Sequence, residues 1–219
     1  MERVLELELM DDPRGADAYA RADFSASNQR FVDGLVRDFP QHLRHAADLG
    51  CGPADVVIRL ARAAPHVRIV AIDGSGPMID LARRAVVAAG LADRIALEQA
   101  RLPGIPIDER AFDAVLSKDL LHHLPDPSVL WSEVTRLGRA GAAVYVMDLI
   151  RPDRPEDACA LTGIVTGAED PILQKDFYNS LLAAFTMDEV RGQLAAARLD
   201  LEVAAAGDGR HLLVRGVLP

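Results

Sequence analysis

Ala47-Asp48-Leu49-Gly50-Cys51-Gly52-Pro53-Ala54-Asp55-Val56-Val57-Ile58-Arg59-Leu60-Ala61 is the stretch that decides the fold. Asp48 and Leu49 close a short strand, Gly50-Cys51-Gly52 makes a tight turn, and a helical pattern follows. Glycine lacks Cβ, so the turn can take positive φ and a ligand can approach to van der Waals distance. The following helix offers free N–H groups and a positive dipole end to a polar or anionic group. A strand, a glycine turn and a helix in this order make a nucleotide-type site. The dinucleotide fingerprint G-x-G-x-x-G requires a third glycine where this chain has Asp55. That substitution disfavours a pyrophosphate reader and a nicotinamide dehydrogenase.

Downstream, Arg68 to Ile72 is a second β-branched run ending in Asp73-Gly74-Ser75. A carboxylate at the end of the second strand, about 20 residues after a glycine turn, is where α/β nucleotide folds hold ribose hydroxyls. Asp73 can instead cap the helix expected over Pro77 to Ala88, unless Ser75 takes that place. Ala92 to Gln99 supplies a third strand, followed by a loop over residues 100–106. Ala111 to Ser117 reads as a buried fourth strand running into Lys118-Asp119-Leu120-Leu121-His122-His123-Leu124-Pro125-Asp126-Pro127. Val129 to Leu137 is an amphipathic helix containing Trp131. Gly138 to Gly141 turns into strand five, Ala142 to Met147, which ends in Asp148. Residues 151–185 break the strand–helix rhythm with Pro152, Pro155, Pro171 and two short helices. Thr186-x-x-Glu189 is a capping box opening the last helix to Leu199. Leu201 to Ala206 and His211 to Val217 form a closing hairpin around Gly207 to Arg210. Upstream, Arg3 to Met10 alternates apolar and acidic residues, and Arg14 to Ala22 is a short helix carrying Tyr19. Asn28 to Phe39 has Phe31, Val32, Leu35, Val36 and Phe39 at helical spacing, a stripe expected to pack on the sheet.

Three motifs at these distances, Asp48-x-Gly50-x-Gly52, Asp73, and Phe112-Asp113-Ala114-Val115 followed by His122-His123-Leu124-Pro125-Asp126, resemble the class I S-adenosylmethionine (SAM) dependent methyltransferases. The likeness is to the small-molecule enzymes related to ubiquinone and menaquinone biosynthesis, over roughly residues 46–149. It implies a Rossmann-like α/β fold with a seven-stranded, mostly parallel sheet whose last strand is antiparallel. It also implies one domain over residues 1–219, with a helical N-terminal extension at 1–45 and a substrate cap at 151–185. The implied cofactor is SAM, with S-adenosylhomocysteine (SAH) as product. Asp48 orders the turn and helps hold the amino group, Gly50 and Gly52 pass the amino-acid end, and Asp73 with Gly74 meets the ribose. Met78 packs on adenine, the Leu102 N–H reads the ring, and Ser117 with Lys118 sits beside the methionine part. Arg101 departs from the pattern, standing where an aspartate usually accepts from the adenine amino group. An Arg cannot accept, although its guanidinium can stack on a purine face.

Methyl transfer from a sulfonium is an in-line substitution, and much of its rate can come from orientation alone. Candidates for acid/base work are His122, His123 and Tyr19, with Asp148 and Tyr178 beside them. Histidine titrates near neutrality, and Tyr19 is placed to close over the sulfonium. His211 is expected at the surface. The implied activity is methyl transfer to O, N, S or C of a small acceptor. The alternative is a SAM-binding protein of the same fold with a non-methylating or scaffold role. A carboxylated SAM would need an Arg beside the methyl position, for which Arg101 and Arg151 are candidates. Apolar residues of the cap, Leu161, Ile164, Val165, Ile172, Leu173, Phe177, Leu181 and Phe185, either form a partly hydrophobic acceptor pocket or pack the cap onto the body.

Composition is ordinary for a soluble globular protein. The 219 residues are 50% hydrophobic and 26% charged, with a formal net charge of −9. The acidic balance and the lack of any Lys/Arg run argue against a nucleic-acid partner. No apolar run approaches the ~18–20 residues of a membrane span, and the acidic start lacks a signal-peptide core. Cys51 and Cys159 form no metal-spacing cluster, so no metal site is expected and the setting reads as cytoplasmic. Oligomeric state is not legible.

Overall fold

The computed structural model describes residues 1–6 and 11–219, so the 7–10 part of the Arg3–Met10 pattern lies outside the described residues. Seven strands form one sheet: β1 (His45–Leu49), β2 (Arg68–Asp73), β3 (Ile95–Gln99), β4 (Phe112–Lys118), β5 (Gly138–Leu149), β6 (Glu202–Ala205) and β7 (His211–Val217). Their order is β3-β2-β1-β4-β5-β7-β6. The first five are parallel, and β7 runs antiparallel to both β5 and β6. Strand order reverses between β1 and β4, and in open α/β sheets ligands bind beyond the carboxyl ends at such a switch point.

The helices are α1 (Pro13–Arg21), α2 (Ser25–Asp38), α3 (Asp55–Ala63), α4 (Gly76–Ala88), α5 (Ser128–Leu137), α6 (Pro155–Thr166), α7 (Pro171–Ala183) and α8 (Met187–Ala196). Strand residues alternate between the two faces, as period-2 geometry demands. Ala114, Leu116, Ala143 and Tyr145 face the layer of α2, α3 and α4 with Phe31, Leu35 and Leu60. Val115, Val144 and Val146 face α5 and α8 with Trp131, Val134, Val190 and Leu194. Because both faces are covered, β4 is buried from end to end and reads as a continuous apolar run rather than an alternating one. The stripe on α2 packs as its spacing requires, with Phe31 edge-on to Tyr145 at 5.1 Å.

Boundaries shift by small amounts for local reasons. Ser75 Oγ accepts the Met78 N–H at 3.3 Å, so Ser75 caps α4 and leaves the Asp73 carboxylate to the loop. Strand five starts earlier than the turn reading of Gly138 to Gly141 allows. Gly138 already pairs with Phe112, and the register slips between Phe112 and Ala114 while Gly141 takes φ +75°. The two helices expected between β5 and the capping box, α6 and α7, run for 12 and 13 residues. The Thr186–Glu189 capping box forms in both directions.

Gly34 on α2 lies against the sheet where a Cβ would collide with Tyr145 Oη. Gly34→Ala is therefore expected to destabilise by about 1–3 kcal/mol through overpacking. In a Tyr145→Phe background the same change becomes near neutral, because helix propensity favours Ala by up to ~1 kcal/mol. Urea unfolding of the four-member double-mutant cycle measures the coupling.

Candidate active site

The site grows from the ends of β1, β2 and β4. The N–H groups of Gly50 and Cys51 both donate to Ile72 O, at 2.8 and 2.9 Å, and the Gly52 N–H donates to Asp73 Oδ2 at 2.8 Å. Gly50 and Gly52 take φ of +79° and +51°, a region that disfavours side chains. A Cβ on Gly50 would press on Leu120 at 3.0 Å, whereas one on Gly52 would stand in open space. The turn is thus closed toward the body and open outward. Asp73 Oδ1 accepts the Ser75 N–H at 2.8 Å, so the carboxylate is fixed in orientation. Burial raises its pKa against the lowering effect of these backbone bonds.

Asp48 is 2% exposed, and its Oδ1 has no hydrogen-bond partner. Burial, reinforced by Asp73 and opposed by Lys118, pushes its carboxyl up to about 7. A buried carboxylate without a donor is costly, and an ammonium group is the chemistry that relieves it. Cys51 is also buried, with Sγ 3.6 Å from Gly52 O. Burial, then Asp48 and Asp73, push its thiol well above the usual range.

A cavity of about 160 Å3 lies over these strand ends, and Tyr19, Gly50, Gly52, Asp73, Met78 and Lys118 help to line it. Asp48 lines the adjoining groove between α2, α3 and α4, which shares Tyr19, Gly50, Gly52 and Lys118. Ser117 Oγ instead donates to Leu49 O at 2.8 Å, tying β4 to β1. Gly74, Arg101 and Leu102 do not line the cavity. Gly74 sits beneath Arg101, whose Cγ would be 3.0 Å from a Cβ there. Arg101 pairs with Asp11 at 2.8 Å, and Leu102 packs against the core on the α5 side. Arg151 is tied up with Glu189 at 2.7 Å and Ala184 O at 3.1 Å. Neither arginine proposed for a carboxylated cofactor reaches the cavity.

The other wall holds the histidines, which follow β4 on a 3-10 turn, Leu121–His123. Asp148, 1% exposed at the end of β5, accepts the N–H groups of Leu121 at 2.7 Å and Leu149 at 2.9 Å. It stands 2.7 Å from His122 Nδ1. With Nδ1–H donating to Asp148, Nε2 is the acceptor nitrogen. Burial lowers the His122 pKa, but the Asp148 carboxylate outweighs it and the net shift is upward. His123 is held well below its usual range by burial and by His122, whose ring centroid is 4.0 Å away. Its Nδ1 stands 3.4 Å from Glu6 Oε2. Tyr19 lines the cavity with its phenol pushed up by burial and by Asp119, Asp73 and Asp55, which suits a wall better than a base. Tyr178 packs among Leu149, Leu181 and Ala184 instead.

His211 corrects an expectation. It is 4% exposed rather than at the surface, because β7 pairs it with Leu149 at the end of β5. Its Nδ1 is 2.6 Å from Asp208 Oδ2, and its Nε2 is 3.4 Å from Asp119 Oδ1. Asp119 takes a left-handed φ of +57° and pairs with Lys118. Burial raises the Asp119 pKa, but Lys118 and His211 override it and hold the carboxyl far below its usual range. Arg3, also unforeseen, donates from Nη2 to the carbonyls of His122 at 2.9 Å and Leu124 at 3.0 Å. Its guanidinium lies 3.9 Å over the Phe185 ring. In sequence Arg3 and His211 lie about 120 and 90 residues from the His122 turn, and only the sheet topology brings them to it. Val165, Leu173 and Phe177 give the cavity an apolar side. Ile164 points outward at 82% exposure.

Among known proteins, residues 46–141 match the family described as methyltransferase domain. A demethylmenaquinone methyltransferase of Lactiplantibacillus plantarum is 33% identical over 113 residues, 51% of this chain and 47% of the relative. A 27-O-demethylrifamycin SV methyltransferase of Amycolatopsis mediterranei is 27% identical over 184 residues, 84% of this chain and 64% of the relative. The chain thus spans between about half and two thirds of the length of these curated relatives. A solved SAM-dependent methyltransferase from Aquifex aeolicus superposes with a TM-score of 0.71 at 17% identity, covering 95% of this chain and 99% of that one. Residues 46–141 thus resemble a methyltransferase domain, and the chain as a whole shares the fold of the solved SAM-dependent methyltransferase.

Proposed function

We propose that the protein transfers a methyl group from SAM to a small, partly apolar acceptor, with His122 as general base. The observation that carries this reading is the pairing of two buried strand-end carboxylates around an outward-open glycine turn. Asp48, with an unpartnered Oδ1, would hold the amino group of the methionine tail, and Asp73 the ribose hydroxyls. Met78 and Lys118 complete the cradle from α4 and β4. When bound, SAM supplies an electrophilic methyl group on a sulfonium. The chain's own work is to align the acceptor and to take its proton. His122 Nε2 is suited to that proton because Asp148 holds the opposite nitrogen in its N–H form. Residues 1–45 and 151–185 act with the central fold as one unit, the second segment serving as a cap whose Val165, Leu173 and Phe177 receive the acceptor body. No helix of the described residues is long and apolar enough to cross a membrane. We place the protein in the cytoplasm and assign it no nucleic-acid partner, on composition and charge.

The first expected outcome is that SAH raises the thermal midpoint and binds with a pH-dependent Kd. Asp48 in the free protein titrates near 7 and is ionised when it faces an ammonium group. Binding below that pH must expel its proton. Affinity should therefore rise with pH up to about 7, by up to about tenfold per unit, and level off above it. Asp48→Asn should flatten this dependence, and Asp73→Ala should weaken SAH by at least about tenfold, on the loss of charge-assisted bonds. Calorimetry between pH 5.5 and 8 reads all three.

The second concerns the base. With its pKa raised above 6.5, His122 is protonated at low pH and becomes competent as pH rises, so kcat should climb above pH 6.5. Asp148→Asn should lower kcat by about 10²–10⁴-fold and move the rising limb to lower pH, with SAH affinity unchanged. A flat profile in the wild type, once an acceptor is in hand from a turnover screen of phenols, thiols and amines, would remove His122 from this role.

A further inference from the structure

The cations and imidazoles of the cavity are matched one by one with carboxylates. Lys118 pairs with Asp119, His122 with Asp148, His123 with Glu6 and His211 with Asp208. Arg210 has the longest of these pairings among the described residues, and its Nε, like His123 Nδ1, makes no hydrogen bond. It lines the cavity from the β6–β7 turn, its side chain is 24% exposed, and its Nε is buried without a hydrogen-bond partner. The nearest carboxylate oxygen, Asp208 Oδ2, lies 3.9 Å away. That oxygen already serves His211 Nδ1 at 2.6 Å and Arg30 Nη2 at 3.2 Å. A buried N–H on a charged group without an acceptor is costly, and a guanidinium fork matches a carboxylate bidentately.

The position of Arg210 says which ligand supplies that carboxylate. The groove beside the glycine turn, where Asp48 waits, is shared by Gly50, Gly52, Lys118 and Asp119 but not by Arg210. Arg210 lines the cavity that contains Val165 of α6 and Leu173 and Phe177 of α7, and this cavity also reaches Gly50, Gly52, Asp73 and Met78. We infer that Arg210 anchors a carboxylate on the methyl acceptor, so that the substrate is an apolar acid whose body lies against α6 and α7. This inference rests on the methyl-transfer reading of the cavity, which SAH binding tests separately. Arg210 binds and orients, and the acid it holds is a handle distinct from the atom that His122 deprotonates.

The test is calorimetric binding to SAH-saturated protein of a panel of aryl and alkyl carboxylates, each beside its primary amide, beginning with 2-naphthoate and 2-naphthamide. In the wild type the acid of at least one pair should bind about tenfold or more tighter than its amide, the gain of about 1.4 kcal/mol that one charge-assisted contact supplies. Arg210→Gln should erase that preference while leaving amide and SAH affinities unchanged, and Arg210→Lys should retain part of it. Three results overturn the inference while the methyl-transfer reading stands: no acid preference in any pair, total lack of binding included; a preference that survives Arg210→Gln; or a tenfold loss of SAH affinity in Arg210→Gln, which would put Arg210 on the methionine carboxylate. Failure of SAH to bind the wild type overturns both.

Discussion

The hydrogen bond from the Gly52 N–H to Asp73 Oδ2 at 2.8 Å, beside those of Gly50 and Cys51 to Ile72 O, ties the ends of the first two strands and shapes what lies above them. It exists only because the backbone at Gly50 and Gly52 turns through positive φ, which brings the Gly52 amide back over β2 instead of out into solvent. The bond does two things together. It holds the turn against the sheet, and it orients a carboxylate whose pKa desolvation raises and this bond lowers. Ser75 supports it by capping α4 itself, which spares Asp73 that task and lets its second oxygen accept the Ser75 N–H. A substitution at any of these four positions would act on the others through the backbone.

The cavity has a division of labour that follows from topology. At the ends of β2 and β4, Asp73 and Ser117 are fixed by backbone contacts, to Gly52 and Ser75 and to Leu49. The opposite side is assembled from β5, the β6–β7 turn, α6, α7 and the N-terminal segment, elements far apart in the chain. There the polar groups come as side-chain pairs, Asp148 with His122 and Asp208 with His211. A scaffold that fixes one half through its backbone can vary the other by changing loop residues, which is how one fold comes to host different functions.

Legibility in the sequence followed the range of the interactions. The glycine turn, the strand-end Asp73, the Ser75 cap and the Thr186 capping box are each written within a few residues, and all formed where local rules place them. Strand five was misjudged at its start because a register slip depends on its neighbour, Phe112, and not on Gly138 to Gly141 alone. His211 looked like a surface residue because a glycine-rich turn precedes it. Its burial comes from pairing with Leu149, over 60 residues upstream, and no local pattern encodes that. Arg101 illustrates the converse. Its place in the motif was clear, yet its side chain reaches Asp11 on a segment whose position the sequence left open.

Cys51 sits in the middle of the turn with Asp48 and Asp73 nearby, and burial and those two charges keep its sulfur protonated. The thiolate rather than the thiol is the nucleophile. A cysteine in an electropositive niche at this spot would be a competitor for any alkylating ligand, open to covalent capture and to oxidation. Here burial first, and the acidic surroundings second, hold the sulfur in its thiol form and leave the middle of the turn chemically quiet.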